Sequence, residues 1–281
     1  MFYSLSQVLT RLKSLANPEK VLFKKQKFGI VANNALGVMH SDLNVMAREI
    51  GKNETLAIEL FETNVYEARI LCAKLFPPKK LTNELAEHWV KTFENWEVCD
   101  SFSMGVIAKS PLAKQKILNW INRKSEFEKR AGFATMAAYC MADKKAGNEV
   151  YESFLPLIIK ASTDERLYVK KAVNWALRSI GKRNIDLNKK AIETAETILL
   201  IDSPAAQWIA KDAIKELSKA IKREPTFLDA YLLRADSYFA LSDLKNAETD
   251  FEKILEIAPD YKPRVNYVVG IIEAKQDKYE E

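Results

Sequence analysis

Glycine and proline are scarce in this chain, at 8 and 9 of 281 residues. So few turn formers exclude a sheet-rich fold stitched together by tight turns and favour long helices. Histidine is scarcer still. With only His40 and His88, histidine-based metal sites and nucleophile–histidine triads drop out of consideration. The three cysteines, Cys72, Cys99 and Cys140, are widely spaced and odd in number, so neither a disulfide framework nor a zinc pattern is expected. No apolar run approaches the roughly 18 residues that a membrane span needs. Arg11 and Lys13 interrupt anything resembling a signal-peptide core between Met1 and Lys20. A cytoplasmic monomer with no membrane association is the expectation.

Apolar residues are plentiful, at 48 % of the chain, enough to build a real core. The net charge of +5 hides an asymmetry. Residues 213–281 hold 11 Lys and Arg against 14 Asp and Glu, which leaves 32 against 24 for residues 1–212. The long N-terminal part is therefore basic, a charge that helps recruit a polyanion.

Helical periodicity runs almost unbroken. It predicts helices at 4–15, 41–50, 54–75 with a break around Thr63, 82–99, 111–121, 125–141, 148–160, 164–181, 187–199 and 204–222. Ser41-Asp42, Thr82, Ser125, Thr163-Asp164 and Ser203-Pro204 mark starts. Gly51, Pro77-Pro78, Gly147 and Gly181 mark stops. Pro156 either kinks its helix or marks its true start. The expected fold is all-α: a HEAT-like superhelix of antiparallel helix pairs (an α–α solenoid) over residues 1–212. Residues 213–281 read as a tetratricopeptide-like tail docked on it. Tyr231, Ala235, Tyr238, Ala247, Phe251 and Pro259 occupy the large, small, large, small, large and helix-ending positions of that repeat. One period of about 34 residues earlier, Ala213, Leu217, Ala220 and Pro225 fill second-helix positions. The tail either caps the solenoid or binds a protein partner.

Three segments carry candidate chemistry. Between Asp164 and Ile180 the apolar residues Val169, Ala172, Val173, Ala176, Leu177 and Ile180 fall in one stripe at about 100° per residue. Lys171, Trp175, Arg178 and Lys182 recur at i, i+4, i+7 and i+11 on the opposite face. An indole among cations suits an anionic partner with π-faces, such as nucleic acid. A second stripe runs through Trp89, Phe93, Trp96 and Asp100. Either its aromatics are core and Asp100 caps the next helix, or the carboxylate is presented beside an indole. In the third segment Arg130 edges the apolar stripe of Phe127, Ala131, Ala134, Ala138 and Met141. It reads as a snorkelling or ion-paired residue, or as a guanidinium held for a phosphate.

The segments Asn64-Val-Tyr-Glu-Ala-Arg69, Trp96-Glu-Val-Cys-Asp100, Phe127-Glu-Lys-Arg-Ala-Gly-Phe133 and Val169-Lys-Lys-Ala-Val-Asn-Trp-Ala-Leu-Arg-Ser-Ile-Gly-Lys-Arg183 resemble, in this order, the DNA alkylation repair (AlkD-like) glycosylases. Ala205-Ala-Gln-Trp-Ile-Ala-Lys-Asp212 continues the resemblance, which covers roughly residues 20–215. It implies a concave basic face that holds duplex DNA and an enzyme that removes cationic alkylated purines, such as N3-methyladenine and N7-methylguanine. Members of the family are known for doing so without drawing the base into a pocket, unlike flipping enzymes. By position, the resemblance makes Asp100 the catalytic carboxylate, Trp96 and Trp175 the aromatic residues at the lesion, and Arg130 an arginine near the DNA backbone. Lys171, Arg178 and Lys182 share a face with Trp175 and are expected to contact phosphates. No metal or organic cofactor is required, because a purine alkylated at N3 or N7 is already a good leaving group. Glu97 departs from the aspartate expected after Trp96. Two alternatives predict different behaviour: a non-catalytic binder of distorted or branched DNA, or a helical-repeat scaffold for proteins.

Overall fold

The structure, a computed structural model, describes residues 3–221, 228–262 and 265–271. These residues are helical with no strand among them. They fall into two compact units, one within residues 1–145 and 166–176, the other within 146–165 and 177–281.

The first unit opens with α1 (Leu5–Ser14), where Ser4 and Gln7 form a capping box, and α2 (Pro18–Phe28), capped by Asn17 with Pro18 in its first turn. Then come α3 (His40–Ile50), α4 (Glu54–Glu62), α5 (Tyr66–Leu75), α6 (Asn83–Val90), α7 (Trp96–Gly105), α8 (Ala113–Trp120) and α9 (Glu126–Ala142). Helices α3 and α7 pack on α5, and α7 and α8 pack on α9. The second unit holds α10 (Asn148–Glu152) and α11 (Leu155–Ala161), with Pro156 in the first turn of α11, so that proline marks a start rather than a kink. Helix α12 (Leu167–Gly181) begins in the first unit and ends in the second. The chain continues with α13 (Ile185–Leu199), α14 (Pro204–Ile221), α15 (Leu228–Ala240) and α16 (Leu244–Ile257).

Two expected features are corrected. Residues 18–28 form α2, which apolar periodicity does not reveal because Leu22, Phe23 and Phe28 stand exposed among lysines rather than forming a buried stripe. The single helix expected over 82–99 is two, α6 and α7. Asn95 adopts an extended backbone and its side chain accepts from the Glu97 and Val98 amides, starting a new helix there. The stripe through Trp89, Phe93, Trp96 and Asp100 is therefore broken. Trp89 and Phe93 are core, whereas Trp96 and Asp100 belong to α7. Asp100 lies inside α7 and does not cap a following helix.

The first unit's core is centred on edge-to-face and tilted aromatics. Trp89 lies 4.9 Å from Phe102, 5.0 Å from Phe76 and 5.5 Å from Phe61, centroid to centroid. Helix α7 sits close to its neighbour: a Cβ on Gly105 would lie 2.5 Å from the Ala73 carbonyl oxygen of α5. The three cysteines are buried, and burial pushes the Cys72 and Cys99 thiols far above their ordinary pKa. In the second unit α15 and α16 pack on each other, and α15 also packs on α13 and α14. Tyr231, Ala235, Ala247, Phe251 and Ile254 form their core. The Arg234–Asp250 ion pair is buried beside it, and Ser237 donates to Glu196 of α13 at 2.8 Å. Pro225 lies outside the described residues. No helix among the described residues is long and apolar enough to cross a membrane.

Candidate functional site

Helix α7 organises the site because successive residues face different neighbours. Trp96 opens the helix half-buried, its indole N–H donating to the Phe28 carbonyl at 3.1 Å and its ring edge-on to Phe28 at 6.4 Å. That contact explains why α2 matters: its last residue positions the indole.

Glu97 points inward. Its carboxylate accepts from Tyr66 Oη at 2.6 Å, His40 Nε2 at 2.9 Å and Lys24 Nζ at 3.1 Å. Burial alone would raise its pKa, but the hydrogen bonds from His40 and Tyr66 and the Lys24 charge overcome that and hold it down at about 2. One carboxylate thus ties α2, α3, α5 and α7 together.

Asp100, one turn beyond Trp96, faces Arg130 of α9. The guanidinium donates through Nε to Oδ1 at 2.9 Å and through Nη2 to Oδ2 at 2.7 Å, a bidentate pair. Its remaining Nη1 donates to the Tyr168 carbonyl at the start of α12, at 2.7 Å. Arg130 is buried, its side chain only 8 % exposed against 18 % for Asp100. The pair is anchored deep and opens toward solvent on the carboxylate side. Desolvation raises the Asp100 pKa above its ordinary 3.8, opposed by the Arg130 charge.

Trp96, Glu97 and Asp100 line an open cavity of about 710 Å³, whose lining also includes His40, Lys52, Lys74, Lys109 and the apolar Met104 and Met141. A carboxylate, an indole and several cations thus share one concave wall, a combination that suits a ligand with both anionic and cationic parts. Among the described residues no cluster of His, Cys, Asp or Glu is placed to hold a metal ion.

Of the sequence candidates, Trp96, Asp100 and Arg130 come together here. Trp175, half-buried, and Lys171, exposed, lie on the part of α12 within the first unit, and neither is among the residues lining the cavity. In the second unit Arg178 Nη1 is 3.4 Å from Asp212 Oδ2, and Lys182 Nζ is 2.7 Å from Glu216 Oε1. Sequence reasoning missed Lys24, His40, Tyr66 and the lysines of the cavity. The partners of Lys24, His40, Tyr66 and Lys52 are 22 to 73 residues away along the chain, and no local pattern announces such pairs. The unusual signal was Glu97 itself, an acid on the inner face of an otherwise apolar helix start.

Stacked helix pairs, with a cavity in one unit lined by charged and apolar side chains, define a helical-repeat protein. The chain belongs to the DNA alkylation repair enzyme family, whose sequence pattern matches residues 8–220. It is similar to an uncharacterized protein of Listeria innocua, 24 % identical over 222 residues that span 77 % of this chain and 97 % of that one. A Listeria monocytogenes protein is similar at 23 % identity over the same extent. Over 79 residues, 27 % of this chain, it is 33 % identical to a serine/threonine-protein phosphatase T of Trypanosoma brucei brucei, covering 17 % of that protein. Among solved structures it resembles one with a TM-score of 0.62 at 19 % identity, covering 75 % of this chain and 94 % of that one. That structure represents a new family of proteins related to the HEAT-like repeat DNA glycosylases, with affinity for branched DNA structures. The likeness establishes a HEAT-like helical-repeat fold.

Proposed function

We propose that this protein is a DNA glycosylase that binds duplex DNA and removes cationic alkylated purines such as N3-methyladenine and N7-methylguanine. The observation that carries the reading is the Asp100 carboxylate, fixed by a bidentate arginine beside the Trp96 indole on an open cavity wall. Breaking the glycosidic bond of such a purine leaves positive charge on the sugar. An oriented carboxylate in a partly dry site stabilises that charge and aligns the attacking water, with little reorganisation as the bond breaks. The indole faces of Trp96 and Trp175 favour the cationic nucleotide over normal bases, by about 0.5–2 kcal/mol each. In this reading Arg130 acts by orienting Asp100, to which it commits two of its five N–H donors, a third going to the Tyr168 carbonyl. Lys171, Arg178 and Lys182 serve as phosphate contacts, the latter two exchanging Asp212 and Glu216 for DNA. No metal or cofactor enters the reaction.

The C-terminal helices α15 and α16 act as a tetratricopeptide-like cap on α13 and α14 and offer a surface for a protein partner. The packing of α15 on both helices supports the cap.

The test is single-turnover base release from a duplex carrying one N7-methylguanine. Asp100→Asn keeps the shape but loses the charge, so release should fall about a hundredfold or more with DNA binding retained. Release by the wild-type protein should also decline on acidification through a pH above 3.8, because the ionised carboxylate is the active form and its pKa is raised. Release by Asp100→Asn at the wild-type rate would remove the assignment. DNA bound without any release from this lesion or from N3-methyladenine would favour a non-catalytic binder of branched DNA, a reading supported by the affinity described for the solved relative.

A further inference from the structure

Lys74 occupies the last turn of α5, and its half-buried side chain lines the same cavity as Asp100 and Trp96. It differs from the cations around it. The Lys52 amine is tied to the Lys74 and Phe76 carbonyls at 2.8 and 3.0 Å, where it caps the end of α5. Lys24 and His40 are spent on Glu97. Lys109 is exposed. Among the described residues the Lys74 amine makes no hydrogen bond or ion pair. Burial pushes its pKa below the ordinary lysine value, with Glu97 opposing, so more of it is in the neutral, nucleophilic form than for a solvated lysine.

Lys74 lines the cavity that also carries Asp100 and Trp96, and abasic deoxyribose opens to an aldehyde at C1′. We propose that Lys74 is the nucleophile of a second, lyase activity, forming an imine with the C1′ aldehyde of an abasic site and cleaving the strand on its 3′ side. The inference rests on the reading that DNA occupies this cavity. The amine nitrogen bonds to C1′ and the carbonyl oxygen leaves as water. The protonated imine acidifies C2′–H, the Asp100 carboxylate of the same wall takes that proton, and its electron pair forms the C1′–C2′–C3′ conjugated system as the C3′–O bond breaks. The phosphate leaves on the downstream fragment. Hydrolysis of the imine returns the amine and leaves an α,β-unsaturated aldehyde on the upstream fragment. Every atom and electron pair is accounted for without oxidant or reductant.

Borohydride reduces such an imine to a stable amine, which links protein and DNA covalently. The experiment uses the full chain and a duplex carrying one abasic site made by removing uracil, so no base release by this protein is needed. Adduct yield is normalised to bound complex, and the trapped lysine is located by peptide mapping. The wild-type protein should be trapped at Lys74. Lys74→Arg, which keeps the charge but cannot form an imine, should reduce the normalised yield about tenfold or more, with its fold checked by thermal unfolding. A purely electrostatic lysine would instead leave the yield unchanged in Lys74→Arg. That result, an adduct mapping to Lys52 or Lys109, or bound wild-type protein that is never trapped, overturns the inference and leaves base release untouched. A protein that binds no DNA overturns both readings.

Discussion

Glu97 accepts hydrogen bonds from three side chains of three other helices, and that crowding sets how the protein responds to acid. Its folded pKa of about 2 lies below its ordinary 4.5. A depressed carboxyl contributes stability that is fully present above pH 4.5 and is lost as pH falls through about 2, on the order of 3 kcal/mol. Glu97→Gln should remove this contribution and leave the buried Lys24 charge without its counter-ion, lowering stability by about 3–5 kcal/mol at neutral pH. Urea unfolding at pH 7 and pH 3 checks both parts: the gap between variant and wild type should be wider at pH 7 than at pH 3. Single residues were unevenly legible in the sequence. Arg130 announced itself as a cation at the edge of an apolar stripe, and one of the alternatives left open, an ion-paired residue, is what the structure contains. The identity of its partner, 30 positions away, was not legible, because the family resemblance gave Asp100 and Arg130 separate roles and did not pair them. The proton donors to Glu97 were not legible at all, because a buried polar cluster is built from residues that look like ordinary surface positions until the chain folds.

Helix α7 is where backbone geometry and chemistry meet. Gly105 ends it against α5, and any side chain there would run into the Ala73 carbonyl, a backbone atom that cannot swing aside. Gly105→Ala should therefore push the two helices apart and destabilise the protein by about 1–3 kcal/mol. Because Asp100 on α7 and Lys74 on α5 line one cavity, the same substitution should slow base release more than it weakens DNA binding. Comparing single-turnover rates with equilibrium titrations of the variant measures this directly. Most helices were readable from their periodicity and caps. The exceptions share a cause. Helix α2 and the first turn of α7 are defined by the asparagine caps Asn17 and Asn95, and their faces are used for positioning indole and carboxylate rather than for burying a regular apolar stripe. Periodicity finds helices that build the core; it passes over those that build the site.

Residues 1–212 carry a basic balance and residues 213–281 an acidic one, so under the proposed function the attraction for DNA phosphates is expected in the former. Binding to undamaged duplex should accordingly fall by about tenfold or more between 50 and 200 mM salt, with a linear log–log slope that reports the number of phosphates neutralised. A fluorescence titration at four salt concentrations is enough, and a flat response would argue against a charged groove. A last consequence concerns the cysteines. A protein that acts on alkylated DNA, as proposed, would work in the presence of methylating electrophiles, and a thiolate is a soft target for them. Cys72, Cys99 and Cys140 are all enclosed, and the first two are held as neutral thiols. The folded chain should resist a methylating agent or a disulfide reagent over hours and react at all three positions once unfolded, as counted by mass spectrometry. The same packing that makes the core would then keep the protein from becoming a casualty of the damage it is proposed to repair.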